Sequence, residues 1–180
     1  REQPTSSKRS PPLPFSTSRL QQVASTRLNL SPKTTMMLCQ KLYEEGHITY
    51  MRTDSQSYSK EFLEKGEKYI TGRWAANYVH RKLSSLEQSD TNAHEAIRPT
   101  NIQVETVTID NRQSSLYRLI WETTCASIMS EAEFSVIRLT ITAPMKLAYK
   151  HVEETPIFLG WMVLTYKHSP NLWDYVQRLK

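Results

Sequence analysis

The apolar residues of this chain change their spacing once, after Glu131, and that change limits the folds open to it. Before Glu131 they recur at intervals of about 3.6 residues, as in helices that pack on one face. From Phe134 to Thr142 they alternate with polar residues, which is typical of a strand. The sequence therefore predicts an α+β protein, a largely helical part followed by part of an antiparallel sheet.

Capping residues indicate where the first helices begin and end. Ser16 or Thr17 can cap a helix that runs to about residue 29, and Ser31 with Pro32 begins a second helix. Gly46 suits the end of that helix, because glycine accepts the left-handed conformation found there. Two short helices joined by a tight turn resemble a helix-turn-helix unit, and the extended segment after them resembles the wing of a winged-helix module.

The later elements are predicted from weaker patterns. A third helix is expected from Lys60 to about Thr71, weakened by Gly66, and residues 74–83 can add one or two helical turns. Ser114 is expected to open an amphipathic helix to about Ser130. Strands are predicted at 134–142, 145–152 and 157–166, with Ile137, Leu139 and Ile141 on one face and a bulge at Gly160.

Composition excludes several classes of protein. Hydrophobic residues make up 38% of the 180 residues and there are four glycines, so the chain is expected to fold rather than stay disordered. No apolar run reaches membrane-spanning length, and no signal-peptide pattern opens the chain. Cys39 and Cys125 are expected to be buried free thiols, and no CxxC or paired-histidine spacing predicts a zinc site.

The positive charge is concentrated near the N-terminus. Residues 1–33 hold six Lys or Arg and one Glu, whereas the rest of the chain holds 17 Lys or Arg and 17 Asp or Glu, so the net charge of +5 lies in the first segment. A basic stripe that includes Arg19 and Arg27 would attract nucleic-acid phosphates. A solvated linker and helix explain the same charges, so charge alone leaves both interpretations open.

A tyrosine and an arginine stand two residues apart within residues 48–55, Ile-Thr-Tyr-Met-Arg-Thr-Asp-Ser. In an extended strand Tyr50 and Arg52 project to the same side, roughly 7 Å apart. A phosphodiester could lie between them, with the phenol as nucleophile and the guanidinium on a phosphate oxygen. The pair alone is weak evidence, because both residue types are common on ordinary strands.

Three motifs in order extend this evidence to a resemblance. Residues 48–55, preceded by Leu-Tyr-Glu-Glu-Gly at 42–46, resemble the active-site signature of type IA DNA topoisomerases, most closely that of the bacterial topoisomerase I group. Residues 14–18 with 20–22 resemble the opening of the same region, and Ala-His-Glu-Ala-Ile-Arg-Pro-Thr at 93–100 resembles its second motif. Residues 116–121 resemble the helix that follows. The resemblance covers about residues 11–131.

The resemblance implies roles for particular side chains. Tyr50 would attack a DNA phosphodiester and become linked to the 5′ phosphate, while Arg52 would hold the scissile phosphate. A phenol with an ordinary pKa of about 10 needs a nearby positive group or base to react at neutral pH. His94 would lie near the DNA path and influence binding and cleavage. Supporting DNA contacts are expected from Thr49, Asp54, Arg98, Arg19 and Arg27.

The resemblance also implies the cofactor and partners. The family binds Mg²⁺ through an acidic domain on an earlier segment, and no Asp-x-Asp cluster occurs here, so Mg²⁺ is expected on a domain absent from this chain. ATP is not expected, because exchanging a phosphodiester for a phosphotyrosine conserves bond energy. The expected partners are single-stranded or negatively supercoiled DNA and the remaining domains of the enzyme. A monomer away from membranes is expected, in the cytoplasm, and with the nucleoid if the source is bacterial.

The resemblance further implies a fragment that is inactive by itself. Residues 1–14 would be a linker or arch segment, 15–131 a tyrosine-bearing winged-helix (CAP-like) domain, and 132–180 part of a β arch domain. The alternative is a non-catalytic winged-helix nucleic-acid-binding module that keeps Tyr50 for packing. On that alternative Arg52 would pair with Asp54, and His94 would be a solvated loop histidine. Tyrosines 43, 58, 69, 78 and 117 are expected to be packing residues, and Trp121 and Trp161 core residues.

Overall fold

A computed structural model describes residues 4–89, 94–108, 110–143 and 147–166. The described residues form two units with mixed α and β structure. One unit runs from Pro11 to Ser130, and the other combines the residues up to Ser10 with those from Glu131 onward. In the described part of the chain, the first unit is helical and the second holds an antiparallel sheet. The predicted α+β class is therefore confirmed.

The helical unit starts with the two capped helices that the sequence predicts. Helix α1 spans Thr17–Leu28 and begins at Ser16, whose side chain accepts a hydrogen bond from the Arg19 amide. Asn29 ends it with a left-handed backbone, φ 54°. Helix α2 spans Pro32–Glu44, is capped by Ser31, and is followed by Gly46 at φ 75°. Both caps satisfy backbone amides that helix formation leaves unpaired.

Helix α3, Lys60–Arg73, is capped by Ser59 and packs closely on Ile128. Gly66, expected to weaken this helix, also has a packing role. A Cβ at Gly66 would lie 2.5 Å from the Ile128 Cδ1, so the glycine makes room for that buried side chain. After α3 the predicted helical turns are short 3₁₀ helices at Ala76–Tyr78 and Leu83–Leu86.

Helix α4, Asn111–Ser127, differs from its prediction at both ends and in character. It begins at Asp110, whose carboxylate accepts hydrogen bonds from the Arg112 and Gln113 amides, and not at Ser114. The Ser114 hydroxyl donates instead to the Val107 carbonyl at 2.8 Å. Eleven of the 17 helix residues are buried, so α4 is a central helix and not an amphipathic surface helix.

The core of the helical unit gathers around α4. Trp121 is buried and its indole N–H donates to the Ile102 carbonyl at 2.7 Å. The Tyr58 hydroxyl lies 3.0 Å from that of Ser127, which satisfies both buried groups. Cys39 and Cys125 are buried free thiols, as predicted, and burial raises the pKa of the Cys39 thiol to about 12.

The sheet has the order β1-β2-β3, with β1 at Thr5–Arg9, β2 at Ala132–Ala143 and β3 at Leu147–Phe158. Both pairings are antiparallel. Part of the predicted linker at 1–14 is therefore a strand, because its backbone pairs with β2. Ion pairs join Lys8 of β1 to Glu133 of β2 at 3.0 Å and Arg9 of β1 to Glu154 of β3.

Two strand predictions are wrong. Strand β3 continues through Pro156, which an edge strand tolerates because its free side needs no amide donor. Residues 160–164 then form a 3₁₀ helix in place of a strand, and Gly160, at φ 48°, is the first residue of that helix and is not in a bulge. On β2 the buried face is Ala132, Phe134 and Val136, whereas Ile137 and Leu139 are half-buried.

None of the helices in the described residues is both long enough and apolar enough to cross a membrane.

Candidate active site

The segments that carry the sequence motifs are joined to one another by backbone hydrogen bonds. The Ile97 amide donates to the Phe15 carbonyl at 2.8 Å, and the Thr17 amide to the Thr53 carbonyl at 2.8 Å. The Thr49 amide donates to the Arg98 carbonyl at 2.9 Å. The start of α1, the tyrosine segment at 48–58 and the segment at 94–100 therefore meet, although Phe15 and Ile97 are 82 positions apart in the chain.

The tyrosine segment is not the predicted regular strand. It is held by isolated bridges, such as Ile48 with Pro99, rather than by a continuous ladder. Its side chains nonetheless alternate: Met51 and Thr53 are buried, whereas Tyr50, Arg52 and Asp54 are exposed. Extended backbone is enough for this alternation, because successive side chains then point to opposite sides. Tyr50 and Arg52 consequently share the solvent side.

Two aromatic side chains flank Tyr50. The Tyr43 ring, on the last turn of α2, has its centroid 5.4 Å from that of Tyr50 at an interplanar angle of 66°. The His94 ring centroid lies 5.9 Å away, tilted by 40°. Tyr50 keeps 39% of its surface exposed, and Tyr43 keeps 41%. Tyr43 is therefore part of an exposed cluster with Tyr50 and not the interior packing residue that the sequence predicts.

Arg52 and Tyr50 have free polar groups. Neither side chain makes a hydrogen bond or ion pair with any residue that the structure describes. The alternative pairing of Arg52 with Asp54 is not formed. A phenol and a guanidinium without internal partners, on one exposed side, can both reach a substrate.

The Arg98 side chain makes its contacts within the protein. Its guanidinium pairs with Glu95, lies 4.0 Å from the centre of the Phe62 ring, and donates to the Pro99 carbonyl at 3.0 Å. Only 13% of its side chain is exposed. Glu95 also accepts a hydrogen bond from the Ser59 amide at 3.0 Å. Arg98 thus ties the second motif to α3, and its predicted DNA contact stays a prediction.

Burial and hydrogen bonding act in opposite directions on Glu95. Burial raises the pKa of its carboxyl, but the hydrogen bonds from Arg98 and Ser59 lower it more, so the pKa lies below its ordinary value of 4.5. The carboxylate form is therefore the one that the fold stabilises.

Three basic residues of the N-terminal segment form ion pairs within the protein. Arg27 pairs with Glu122 at 3.3 Å, and Lys8 and Arg9 pair with acids of the sheet. Arg19, three residues from the Ser16 cap, has its Nε buried without a partner in the described residues. Arg27 therefore has a local structural role, and the predicted basic stripe is reduced.

The described residues do not supply a site for Mg²⁺. Among them no three His, Cys, Asp or Glu side chains are grouped as a metal would require. Asp54 is an isolated exposed acid beside the tyrosine.

Sequence reasoning missed Thr17 and Glu95. Thr17 donates its hydroxyl to the Met51 carbonyl at 2.7 Å, and Glu95 anchors Arg98. Both residues lie inside sequence motifs, at 14–18 and 93–100. That position was the signal by which they could have been found. A side chain that bonds to a distant backbone leaves no periodic trace in a sequence.

Comparison with known proteins identifies the family of the chain. A family model described as DNA topoisomerase matches residues 2–176. DNA topoisomerase 1 of Buchnera aphidicola from Acyrthosiphon pisum is 44% identical over 155 residues, which is 83% of this chain and 18% of that protein. DNA topoisomerase 1 of Escherichia coli K12 is 39% identical over 147 residues, 79% of this chain and 17% of that protein.

A solved structure has the same fold. Full-length topoisomerase I from Thermotoga maritima matches with a TM-score of 0.78 and 32% identity, covering 94% of this chain and 29% of that one. The chain thus spans less than a fifth of the length of the two curated relatives above. With the family model matching nearly its whole length and the motif segments meeting at Tyr50, the chain belongs to the DNA topoisomerase family of bacterial topoisomerase I, the type IA enzymes.

Proposed function

We propose that this chain is the part of a type IA topoisomerase that carries the nucleophile, Tyr50. One observation carries the proposal most directly. Tyr50 is exposed and its hydroxyl has no partner among the described residues, whereas the next side chain, Met51, is buried. The Arg52 guanidinium, also without a partner among the described residues, lies on the same exposed side. A structural tyrosine would bury its ring or bond its hydroxyl, as Tyr58 and Tyr117 do.

The proposed reaction is a transesterification of DNA. The Tyr50 oxygen bonds to phosphorus, the bond from phosphorus to the 3′ oxygen breaks, and the strand is left with a 5′ phosphotyrosine. Overall, the phenolic proton is released and the departing 3′ oxygen gains a proton. Arg52 would bind a non-bridging phosphate oxygen and stabilise the charge that develops there. His94, beside the Tyr50 ring, would line the path of the DNA.

Resealing reverses these steps and needs no ATP, because one phosphoester replaces another. In the whole enzyme the cycle would relax negatively supercoiled DNA after a single-stranded segment binds. Mg²⁺ would be held by an acidic domain outside this chain, as the family resemblance implies. The helical unit would be the tyrosine-bearing domain and the sheet part of an arch, in a soluble, DNA-associated enzyme.

A winged-helix arrangement is part of the proposal. It is supported by α1 and α2, which are separated by residues 29–31 and followed directly by the tyrosine segment. The equivalent of the wing would be that segment, although isolated bridges hold it instead of a hairpin. A non-catalytic module of this type remains the second candidate, favoured only by the helix pair.

Substitution in the full-length enzyme tests the nucleophile. Tyr50→Phe removes the hydroxyl and keeps the ring, so we expect relaxation and the covalent adduct to be lost while single-stranded DNA still binds. Tyr43→Phe tests the other exposed tyrosine of the cluster, and Tyr149→Phe, on exposed β3, is a matched control. Relaxation that survives Tyr50→Phe would contradict the proposal and favour the non-catalytic module.

The chain by itself gives a second test. End-labelled single-stranded DNA is mixed with the chain and Mg²⁺ and run on native and denaturing gels. We expect a shifted band on the native gel and no covalent band on the denaturing gel, because the metal ligands lie elsewhere. A covalent band that disappears in Tyr50→Phe would show that the chain cleaves unaided, and the assignment of Mg²⁺ to another domain would be wrong.

A further inference from the structure

Two threonine hydroxyls hold the backbone on either side of Tyr50 in the same way. On one side the Thr49 amide donates to the Arg98 carbonyl at 2.9 Å, and the Arg98 amide donates to the Thr49 Oγ1 at 3.0 Å. On the other side the Thr17 amide donates to the Thr53 carbonyl at 2.8 Å, and the Thr53 amide donates to the Thr17 Oγ1 at 2.9 Å.

In each pair the threonine hydroxyl takes the place of a backbone carbonyl as the acceptor of one hydrogen bond. Directly opposed residues of an antiparallel ladder exchange two N–H to carbonyl bonds. Here one of the two acceptors is the threonine Oγ1, and the hydroxyl proton goes to the carbonyl two residues before the partner. That carbonyl belongs to Ala96 at 2.9 Å for Thr49, and to Met51 at 2.7 Å for Thr17. Each threonine with these three hydrogen bonds is called a clamp below. The Thr49 clamp and the Thr17 clamp therefore have the same pattern, on different elements.

The clamps act where a regular sheet would otherwise fix the chain. Residues 49–57 lie in no strand, so no continuous ladder sets the direction of the Tyr50 side chain. Thr49, the residue that precedes Tyr50, is hydrogen-bonded to Arg98 and Ala96. Thr17 is hydrogen-bonded to Met51 and Thr53, the residues on either side of Arg52. Because a hydroxyl has a single proton, which both threonines donate internally, neither is free to donate to DNA.

Resting on the function proposed above, we propose that Thr17 and Thr49 are positioning residues of the cleavage reaction. Their hydroxyls fix the backbone around Tyr50, and so place the phenol and the Arg52 guanidinium on one phosphodiester. The sequence predicts that Thr49 contacts DNA. On the present proposal Thr49 acts through Tyr50 instead. Displacing a reacting group by about 1 Å can slow a reaction by about 100-fold without weakening substrate binding.

The test uses Thr17→Val and Thr49→Val in the full-length enzyme, which remove the hydroxyl and keep the shape. Thr17→Ser and Thr49→Ser keep the hydroxyl, and Thr26→Val is the control, since that hydroxyl bonds only to carbonyls of its own helix. We expect the valine variants to form the covalent adduct at saturating DNA about 10-fold to 100-fold more slowly. Their dissociation constants for single-stranded DNA should change less than about twofold, and serine should restore the rate.

A fluorine label reports positioning without catalysis. With 3-fluorotyrosine at position 50 of this chain, we expect one sharp ¹⁹F resonance for the parent and the serine variants, and a broadened or additional resonance for the valine variants. If Tyr50→Phe leaves relaxation intact, the proposed function fails, but the ¹⁹F spectra still decide whether the clamps hold position 50.

Three results would overturn the positioning roles. One is an unchanged adduct rate in both valine variants. Another is a loss of DNA affinity with no loss of rate at saturation, which would make the threonines DNA contacts. The last is a failure of both valine variants to fold, judged from their melting curves, which would make the hydroxyls a requirement of folding alone. Thr17 and Thr49 use different partners, so one folded variant is enough to decide.

Discussion

At the scale of single residues, the arginine side chains differ in whether they are paired within the protein. Arg98 is held by Glu95 and Phe62, and Arg27 is held by Glu122. Arg52 has no such partner among the described residues, although it lies between buried neighbours. Leaving a guanidinium unpaired gives up a favourable interaction in the free protein, which a phosphate would supply on binding.

Replacing Arg52 should therefore affect cleavage more than folding. In the full-length enzyme we expect Arg52→Ala to slow covalent adduct formation by about 100-fold, and Arg52→Lys by a smaller factor, because lysine keeps the charge and loses the planar fork. The melting temperature should stay that of the parent. Arg112→Ala, on the exposed start of α4, is the control. Equal rates for Arg52→Ala and the parent would remove Arg52 from the reaction.

Glu95 should make stability depend on pH in the acid range. Its pKa in the folded chain is lowered below 4.5, so its contribution is complete above that pH and is lost as the pH falls through the lower, folded-state pKa. At pH 7 we expect Glu95→Gln to lower the free energy of unfolding by about 1 to 3 kcal/mol, because the mostly buried Arg98 loses its counter-charge.

Urea unfolding of this chain at pH 7, 5, 4 and 3 measures that effect. The difference between parent and Glu95→Gln should shrink below pH 4.5 and stay constant between pH 5 and 7. Glu64→Gln, on an exposed position of α3, should show no such difference. A difference that persists at the lowest pH would mean that the Glu95 charge is not its source.

At the scale of elements, α3 shows that a residue unfavourable to a helix can be required by packing. Gly66 costs helix stability relative to alanine, by about 1 kcal/mol. In the fold, however, a Cβ at that position would meet the Ile128 Cδ1 at 2.5 Å, and Ile128 is completely buried. Gly72 on the same helix has nothing within 4 Å of its missing Cβ.

The two glycines should therefore respond differently to alanine. We expect Gly72→Ala to stabilise this chain by about 0.5 to 1 kcal/mol, since only helix propensity changes. Gly66→Ala should destabilise it by about 1 kcal/mol, because overpacking exceeds that gain. In an Ile128→Val background, which removes the Cδ1 atom, Gly66→Ala should become neutral or stabilising. Urea unfolding measures all three, and a stabilising Gly66→Ala in the parent would exclude the close contact.

At the scale of the whole molecule, the largest buried side chains come from one continuous stretch of sequence. The largest completely buried side chains, from Phe15 to Trp121, all lie in the unit at 11–130. The sheet unit is built from two distant pieces of sequence, and its described part has three strands. A sheet of that size with few buried side chains is marginal as an independent structure.

Residues 11–130 should therefore fold without the rest. We expect this piece to unfold cooperatively on heating and in urea, with a near-ultraviolet circular dichroism signal from buried Trp121. Residues 131–180 alone should show no cooperative transition, because β1 is missing from their sheet. A non-cooperative transition for 11–130 would show that its stability depends on the sheet unit.

The local sequence determined the caps of α1 and α2, the α+β class and the shared side of Tyr50 and Arg52, because caps and side-chain alternation depend on neighbours only a few residues apart. It misjudged α4 and missed strand β1, since burial on all sides and the pairing of β1 with β2 depend on distant segments. Only the tertiary structure decided which polar groups are paired: Glu95 holds Arg98, while Arg52 has no partner among the residues that the structure describes. Hydrogen bonds between distant segments, such as that from Thr17 to Met51, are set by how the chain packs and leave no pattern in its order.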